Sequence, residues 1–262
     1  MNIASMHQSF RFGMDKMDNL NYPNFLPEEI DLLLNQAQER IVKQRYGITN
    51  PKRTSFEETQ KRTEDLKEII RQVVLIPTAN SGQVNLGENI TTNSVFVTLP
   101  NDHWFIIQER VIIVSDRCNT ETINIYIPAY CITVSEDPLI EECYEASTLT
   151  VVGKYAEVRP IQHLEFDKII NDAFKAPDYD KVLRLMYDGK VEIVPSTLST
   201  VTRYILRYIK KPTQMSISTP TNCELSEHLH QEIVDEAIKV ALEGIEAKRN
   251  NSFTPLIDNT KE

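Results

Sequence analysis

The dipeptide Asp188-Gly189 constrains this chain more than any other pair of residues. It stands between two apolar-rich runs, Lys181-Val-Leu-Arg-Leu-Met-Tyr187 and Lys190-Val-Glu-Ile-Val194. A two-residue type I′ turn needs positive φ at both central positions, and Asp-Gly meets that need at the lowest steric cost, so the two runs are expected to pair as an antiparallel hairpin. A long alternating run follows, Val201-Thr-Arg-Tyr-Ile-Leu-Arg-Tyr-Ile209, which Lys210-Lys211-Pro212 should end because proline cannot donate to a strand ladder. From Ser226 to Glu243 the period changes to that of a helix, with Val234, Ala237, Ile238, Ala241, Leu242 and Ile245 on one face. The last third therefore reads as hairpin, strand and closing helix.

The N-terminal part reads as helical. Met6 to Leu20 is a short helix. A longer one starts at Pro27, whose missing N–H costs nothing in a first turn, with Glu28 and Glu29 at the positive end of the dipole. Ile30, Leu33, Leu34, Ala37 and Ile41 form its apolar face, and Gly47 suits its C-cap. Ser55-x-x-Glu58 has the form of a capping box and opens a second long helix, with a stripe of Leu66, Ile69, Ile70 and Val73 and a stop at Pro77. The two would make an antiparallel helical hairpin. After a polar loop, Thr78 to Asn93, strand patterns appear at Ser94–Leu99, Trp104–Ile107 into Arg110–Val114, Thr122–Ile127, Ala129–Val134 and 148–158, then a short helix from Phe166 to Phe174. The expected class is α+β: a helical hairpin or bundle with a closing C-terminal helix, an inserted antiparallel β unit and a C-terminal β-hairpin. The boundaries implied are 1–77 for the N-terminal helical part, 78–158 for the inserted β domain, 159–249 for the hairpin, strand and helix that complete the core, and 250–262 for a tail.

Several function classes find no support. Lys and Arg number 28 against 38 Asp and Glu, a formal charge of −10. A protein that grips nucleic acid along its phosphates normally presents a basic face, whereas an acidic wall would repel DNA and let it slide. No run of about 18 apolar residues is present, so no membrane span is expected, and the N-terminus lacks a basic-then-apolar secretory pattern. Cys118, Cys131, Cys143 and Cys223 form no Cys-x-x-Cys pair and read as isolated reduced thiols. His228 and His230 are two apart, which points them to different sides of a helix, and His103 and His163 lack a recognisable carboxylate pair. Neither a nucleophile elbow nor a phosphate-binding glycine loop occurs. Hence no catalytic, cofactor-binding or metal-ligating residue is assigned, and no cofactor.

What the sequence does offer is contact chemistry. On the Val201–Ile209 strand, Arg203 and Arg207 share a face with Val201, Ile205 and Ile209, an odd mixture for a core but apt for an interface, where Arg is enriched. Lys210 and Lys211 mark the corner after it, either as contacts to an acidic neighbour or a passing phosphate or as guards against edge pairing. Glu232, Asp235 and Glu236, with Glu243 and Glu246, fall on the polar side of the closing helix and suggest an acidic face toward a partner.

Four blocks carry a resemblance: Met14 to Arg40, Phe56 to Leu66, Pro160–Ile169 leading into Asn171–Pro177, and the hairpin–strand–helix of the last third. In this order they resemble the ring, or adaptor, proteins of the head–tail connector of crAss-like tailed bacteriophages; residues 80–151 lie outside the resemblance. It implies a non-enzymatic virion protein forming a ring of twelve copies below the portal, joining capsid to tail and lining the DNA channel. Its partners would be neighbouring copies of itself, the portal protein, further tail or ring proteins, and genomic DNA passing without specific binding, with no membrane. It would reside in the virion neck after assembly in the host bacterial cytoplasm. The alternatives are a ring of the tail barrel or a tail-completion protein, a phage hydrolase or nuclease with an unrecognised site, and a host cytoplasmic interaction module.

Overall fold

The computed structural model describes residues 1–17, 25–47, 56–79, 90–115, 121–127, 130–133, 141–144, 146–187 and 189–244. In chain order the elements are α1 (Ile3–Met17), α2 (Pro27–Tyr46), α3 (Gln60–Leu66), β1 (Ile70–Leu75), β2 (Val95–Thr98), β3 (His103–Ser115), β4 (Glu121–Ile127), β5 (Tyr130–Thr133), β6 (Glu141–Tyr144), β7 (Ser147–Pro160), α4 (Phe166–Ile170), β8 (Lys181–Met186), β9 (Lys190–Val194), β10 (Ser199–Lys210) and α5 (His230–Gly244). They fall into two compact units, one of Met1–Ile70 with Lys211–Glu262 and one of Arg71–Lys210. The expected boundaries at 77/78 and 158/159 lie elsewhere: the hairpin and the long strand belong to the same sheet as the strands before residue 158, and only the closing helix joins the N-terminal helices.

The first unit is helical. α5 packs against both α1 and α2, burying Ile233, Val234, Ala237, Ile238, Ala241 and Leu242. α1 contributes Met6, Phe10 and Met14 to the core, and α2 contributes Ile30, Leu34, Ala37 and Ile41. At Gly13 the helices come so close that a Cβ would overlap the Ile238 side chain. α2 begins as expected: Pro27 occupies the first turn and the Glu29 carboxylate accepts the Leu26 N–H at 2.8 Å. Gly47 ends it with extended backbone (φ −66°, ψ 151°), so the left-handed freedom of glycine is not used.

The expected helical hairpin is corrected. The second long helix is a short one, α3, that stops at Leu66; a 3-10 turn over Lys67–Ile69 follows and Ile70 already opens β1. Spacings of three and four among Leu66, Ile69, Ile70 and Val73 imitate a helix, but β-branched Ile70, Val73 and Val74 fit a pleated surface better. Ser55 and its capping box lie outside the described residues.

The second unit is built on a mixed eight-stranded sheet in the order β1-β10-β3-β7-β8-β9-β2, with β4 on β7 as well. The inserted β unit and the C-terminal hairpin anticipated from sequence are thus one sheet, and β7 and β8 pair in parallel from Glu157↔Lys181 to Pro160↔Arg184. β3 is one strand of 13 residues that carries Trp104–Ile107 into Arg110–Val114, and the polar Gln108-Glu109-Arg110 between them alternates between faces. The hairpin forms in the expected register, with Met186 opposite Val191, the Tyr187 N–H donating to Lys190 O at 2.8 Å and Gly189 at φ 65°; Asp188 is outside the described residues. β7 changes partner midway. Residues 147–153 pair β4 and residues 154–157 pair β3. Gly153 sits at the change, where a Cβ would lie 2.5 Å from Ile112 Cγ2 and 2.9 Å from Ile113 O. Among the described residues β5 and β6 pair with each other in a two-stranded sheet.

Both faces of the sheet carry apolar clusters. One holds Val97, Val111, Ile113, Val158, Val182, Val191, Ile193, Tyr204, Leu206 and Tyr208. The other carries a smaller cluster of Ile112, Ile123, Ile125 and Ile205 where β4 crosses it, and, around α4, Phe166 and Ile169 against Leu183, Leu185 and Val194.

Candidate assembly surfaces

Alternation along the central strands sorts the second unit's charges. Glu109, Tyr204 and Tyr208 point to the larger apolar face. There Tyr204 donates to Glu109 at 2.9 Å, and Arg184 Nε stands 3.2 Å from the same carboxylate as an ion pair without a hydrogen-bonding angle. Burial nevertheless outweighs Arg184 and raises the Glu109 pKa, and burial with the adjacent carboxylate raises that of Tyr204 strongly. Tyr208 donates to Asp102 at 2.9 Å. Glu192, wholly buried, accepts from Tyr187 at 2.7 Å, from the Ile90 N–H and from Ser94. The carboxylates and tyrosine hydroxyls are hydrogen-bonded within this unit, whereas Arg184 Nε makes only the ion pair.

Gln108, Arg110 and Arg207 point the other way. Arg207 Nε donates to Gln72 at 2.7 Å and Nη1 to Gln108 at 3.2 Å; Arg110 lies over the Tyr155 ring at 5.8 Å. With Asn124, Ile125, Tyr126 and Ile205 they line a cleft of about 300 Å³. Its wall contains no carboxylate, and neither arginine is ion-paired among the described residues. Tyr126 and Tyr155 are 64% and 41% exposed. Arg207, singled out from sequence, belongs to this cleft; Arg203 does not. A register irregularity between Val201 and Arg203 half-buries Arg203, and its Nη1 donates to Thr202 O at 2.7 Å. Arg110, Tyr126 and Tyr155 escaped the sequence reading because they sit on three strands that only the register brings together.

The lysine corner and the acidic helix need correction. β10 lies between β1 and β3, so Lys210 and Pro212 guard no sheet edge, and Pro212 is buried. Lys211 Nζ is 3.6 Å from Glu39. Of the carboxylates on α5, Glu236 is buried, 3.8 Å from Arg40, and Glu232 accepts from Arg45 Nη2 at 2.6 and 2.7 Å. Asp235 is half-buried, accepts from Gln231 at 3.0 Å and has its pKa raised by burial; Glu243 is exposed, 3.7 Å from Arg40. Glu246 is outside the described residues. A helical wheel assumes one buried face, whereas α1 and α2 together enclose more of α5 than one stripe.

The heart of this unit is a buried ion network. Arg45 Nε donates to Asp65 at 2.7 Å, and the other Asp65 oxygen lies 2.7 Å from His228 Nε2. His7 pairs similarly with Asp31 at 2.7 Å, whose second oxygen accepts the Ile217 N–H. Sequence reading missed Arg45, Asp65, Asp31 and His7, each of which lies far along the chain from its partners. His228 and His230 go to different partners, as their spacing required: His230 Nε2 donates to Leu225 O at 2.9 Å. Cys223 is half-buried, and burial pushes its thiol up to about 11. Cys131 and Cys143 stand directly opposite each other in the β5–β6 register. Among the described residues no group of three or more His, Cys, Asp or Glu is arranged to hold a metal ion, and no helix is long and apolar enough to cross a membrane.

An α+β chain whose buried charges are paired structurally, and whose open sheet face presents arginine and tyrosine, has the make-up of an assembly subunit. Comparison with known proteins gives the class: the chain belongs to the phage tail ring protein 3/4 family, whose model matches residues 1–137 and 138–252. It is similar to Ring protein 3 of Bacteroides phage crAss001, at 24% identity over 84% of this chain and 86% of that protein. It is also similar to Ring protein 4/5 of the same phage, at 22% identity over 92% of each. It is thus a structural ring protein of the crAss-like phage virion.

Proposed function

We propose that the chain forms one ring of the head–tail connector, twelve copies stacked below the portal, joining capsid to tail around the passage for the genome. The observation that carries this reading is the family match, which runs through both compact units. The build supports it: a closed ring needs two unlike surfaces on each copy that meet head to tail, and an acidic chain with one carboxylate-free, arginine-lined cleft offers such a contrast. The work is then done by shape and contact, with no reaction step. Neighbouring copies, the portal and further ring proteins are the partners, and DNA passes an acidic wall that does not hold it.

A second reading keeps the ring and moves it down the tail. It is favoured by one observation: two differently numbered ring proteins of one phage resemble this chain almost equally, at 24% and 22% identity. Imaging the neck and tail of purified particles at a resolution that traces this chain distinguishes them. A twelve-fold ring against the portal is expected; density for the chain in a lower ring selects the second reading, and its absence from purified particles overturns both.

A further inference from the structure

The sheet face with the smaller clusters is divided in two. Strands β1, β10, β3 and β7, with β4, form the Arg110–Arg207 cleft, with exposed Tyr126 and Tyr155 and no carboxylate in its wall. α4 covers the β8–β9 half through Phe166 and Ile169. The turn after α4 has the opposite chemistry: it carries Phe174, 87% exposed, and exposed Asp178 and Asp180. Phe174 is the most exposed large apolar side chain among the described residues. Slack in the chain does not explain this, because the turn is tied down. The Asp172 carboxylate accepts the Phe174 N–H at 3.0 Å, the Asp172 carbonyl accepts the Lys175 and Ala176 N–H groups at 3.0 and 2.8 Å, and Lys181 Nζ donates to Phe174 O at 3.2 Å. Lys181 O accepts the Asp178 N–H at 3.0 Å, which holds Asp178 to the same turn. An aromatic side chain on a fixed backbone has little freedom left to lose on docking.

We propose that the Phe174 turn of one copy docks in the Arg110–Arg207 cleft of the neighbouring copy, as the head-to-tail contact of the ring. This rests on the ring reading above. Size and charge single out the occupant. An apolar cavity of ~150 Å³ already takes a benzene ring, so a cleft of about 300 Å³ has room for the phenyl group and a carboxylate beside it. Ile125 and Ile205 line its apolar part, and Tyr126 and Tyr155 supply the aromatic contact typical of interface centres. Arg110 and Arg207 then face Asp178 and Asp180 of the neighbour, and a guanidinium offers a planar fork that a carboxylate meets with two hydrogen bonds. Turn and cleft are unlike surfaces on one chain, as a cyclic contact requires.

The test uses the full-length protein and does not need rings to form. A donor chain carries the photoreactive aromatic benzoylphenylalanine in place of Phe174. It is mixed with an isotopically heavy recipient chain, irradiated, and the light–heavy crosslinks, which report only contacts between copies, are mapped by mass spectrometry. Crosslinks are expected in recipient peptides that contain Tyr126, Tyr155 or Ile205. Unlabelled wild type should compete for them, and Phe174→Ala should not. A recipient with Arg110→Glu and Arg207→Glu, both at exposed positions and with circular dichroism confirming that it folds, should lose the crosslink about tenfold or more. A donor that also carries Asp178→Lys and Asp180→Lys should instead prefer that glutamate recipient. Crosslinks that are absent or fall outside the cleft, an undiminished yield with the glutamate recipient, or no reversal by the lysine donor overturns the proposal. So does displacement of the crosslink by a short DNA duplex, which would make the cleft a phosphate site. If the crosslink fails while particles show the chain in a ring, the ring reading stands and this contact is wrong; if the chain is absent from particles, the ring reading falls independently.

Discussion

The two units solve the problem of buried charge in opposite ways. The helical unit puts Arg45, Asp65 and Glu232 at the junction of α2, α3 and α5 and lets them neutralise one another. The sheet unit keeps most of its interior apolar, admits Glu109 and Glu192 only with hydroxyl and guanidinium partners, and leaves Arg110 and Arg207 at the surface. In the first unit, charge pairing selects which helices meet. In the second, strand register does, and Arg110 and Arg207 are left exposed.

The largest effect should come from breaking the helical unit's network. Asp65 is wholly buried and Arg45 nearly so. Asp65→Ala leaves Arg45 Nε and His228 without their acceptor while Glu232 still holds the other edge of the guanidinium, and is expected to cost about 3 kcal/mol, seen as a lower urea midpoint. Changing both partners to apolar residues, Arg45→Met with Asp65→Leu, should cost less than Asp65→Ala alone. If the double variant is the worse one, the network is contributing attraction rather than avoiding a stranded charge, and the contrast between the units narrows.

The corresponding break in the sheet unit is steric. Gly153→Val would drive a side chain into Ile112 and the Ile113 carbonyl, where β7 changes from β4 to β3. A loss of about 1–3 kcal/mol is expected, by the same urea titration. Gly189→Ala should cost about 1–2 kcal/mol, from its positive φ alone, because space around it is open. A Gly153→Val loss well below about 1 kcal/mol would mean that the partner change tolerates a side chain.

How much of this was legible in the chain follows from the range of the interactions. The Asp-Gly hairpin, the Pro27 start of α2 and the alternation of β10 from Tyr204 to Arg207 are encoded within a few residues and lie where the pattern put them, whereas irregularities in register break the alternation at both ends of β10. Ile69–Val73 misled because a spacing of three and four suits both a helix and a strand leaving a helix, and only the neighbouring strand decides. Glu232 and Glu236 misled because a wheel cannot know that two helices enclose α5. The cleft was half legible: Arg207 stood out on its strand, but Arg110, Tyr126 and Tyr155 join it only through the register of β3, β4 and β7. The family resemblance had no such difficulty, since it draws on the order of blocks on either side of residues 80–151.

A smaller effect should separate the units by pH. Burial raises the Glu109 pKa in the folded protein, so the folded chain holds that proton to higher pH than the unfolded one. Stability from this group is therefore complete below the ordinary carboxylate pKa and declines as pH rises through the raised value. Glu109→Gln removes the titration. The difference in melting temperature between wild type and this variant should shift against the wild type from pH 4 to pH 7, because only the wild type loses that contribution. A constant difference would show that Arg184 and Tyr204 fully offset the burial.

The smallest effect belongs to the exposed pairs. Lys211 and Lys43 both approach Glu39, at 3.6 and 3.5 Å, with both lysines exposed and Glu39 half-exposed. Solvent screens such contacts, and ordering long side chains offsets much of the remaining attraction, so Lys211→Ala should change stability by less than about 1 kcal/mol and by less still in 0.5 M salt. This small number sharpens the larger one. Asp65 and Glu39 are both carboxylates paired with basic side chains in the same helical unit, and burial is the chief difference between them. A Lys211→Ala loss approaching that of Asp65→Ala would mean that the corner after β10 carries structural load, and the assignment of the unit's specificity to its interior network would have to be given up.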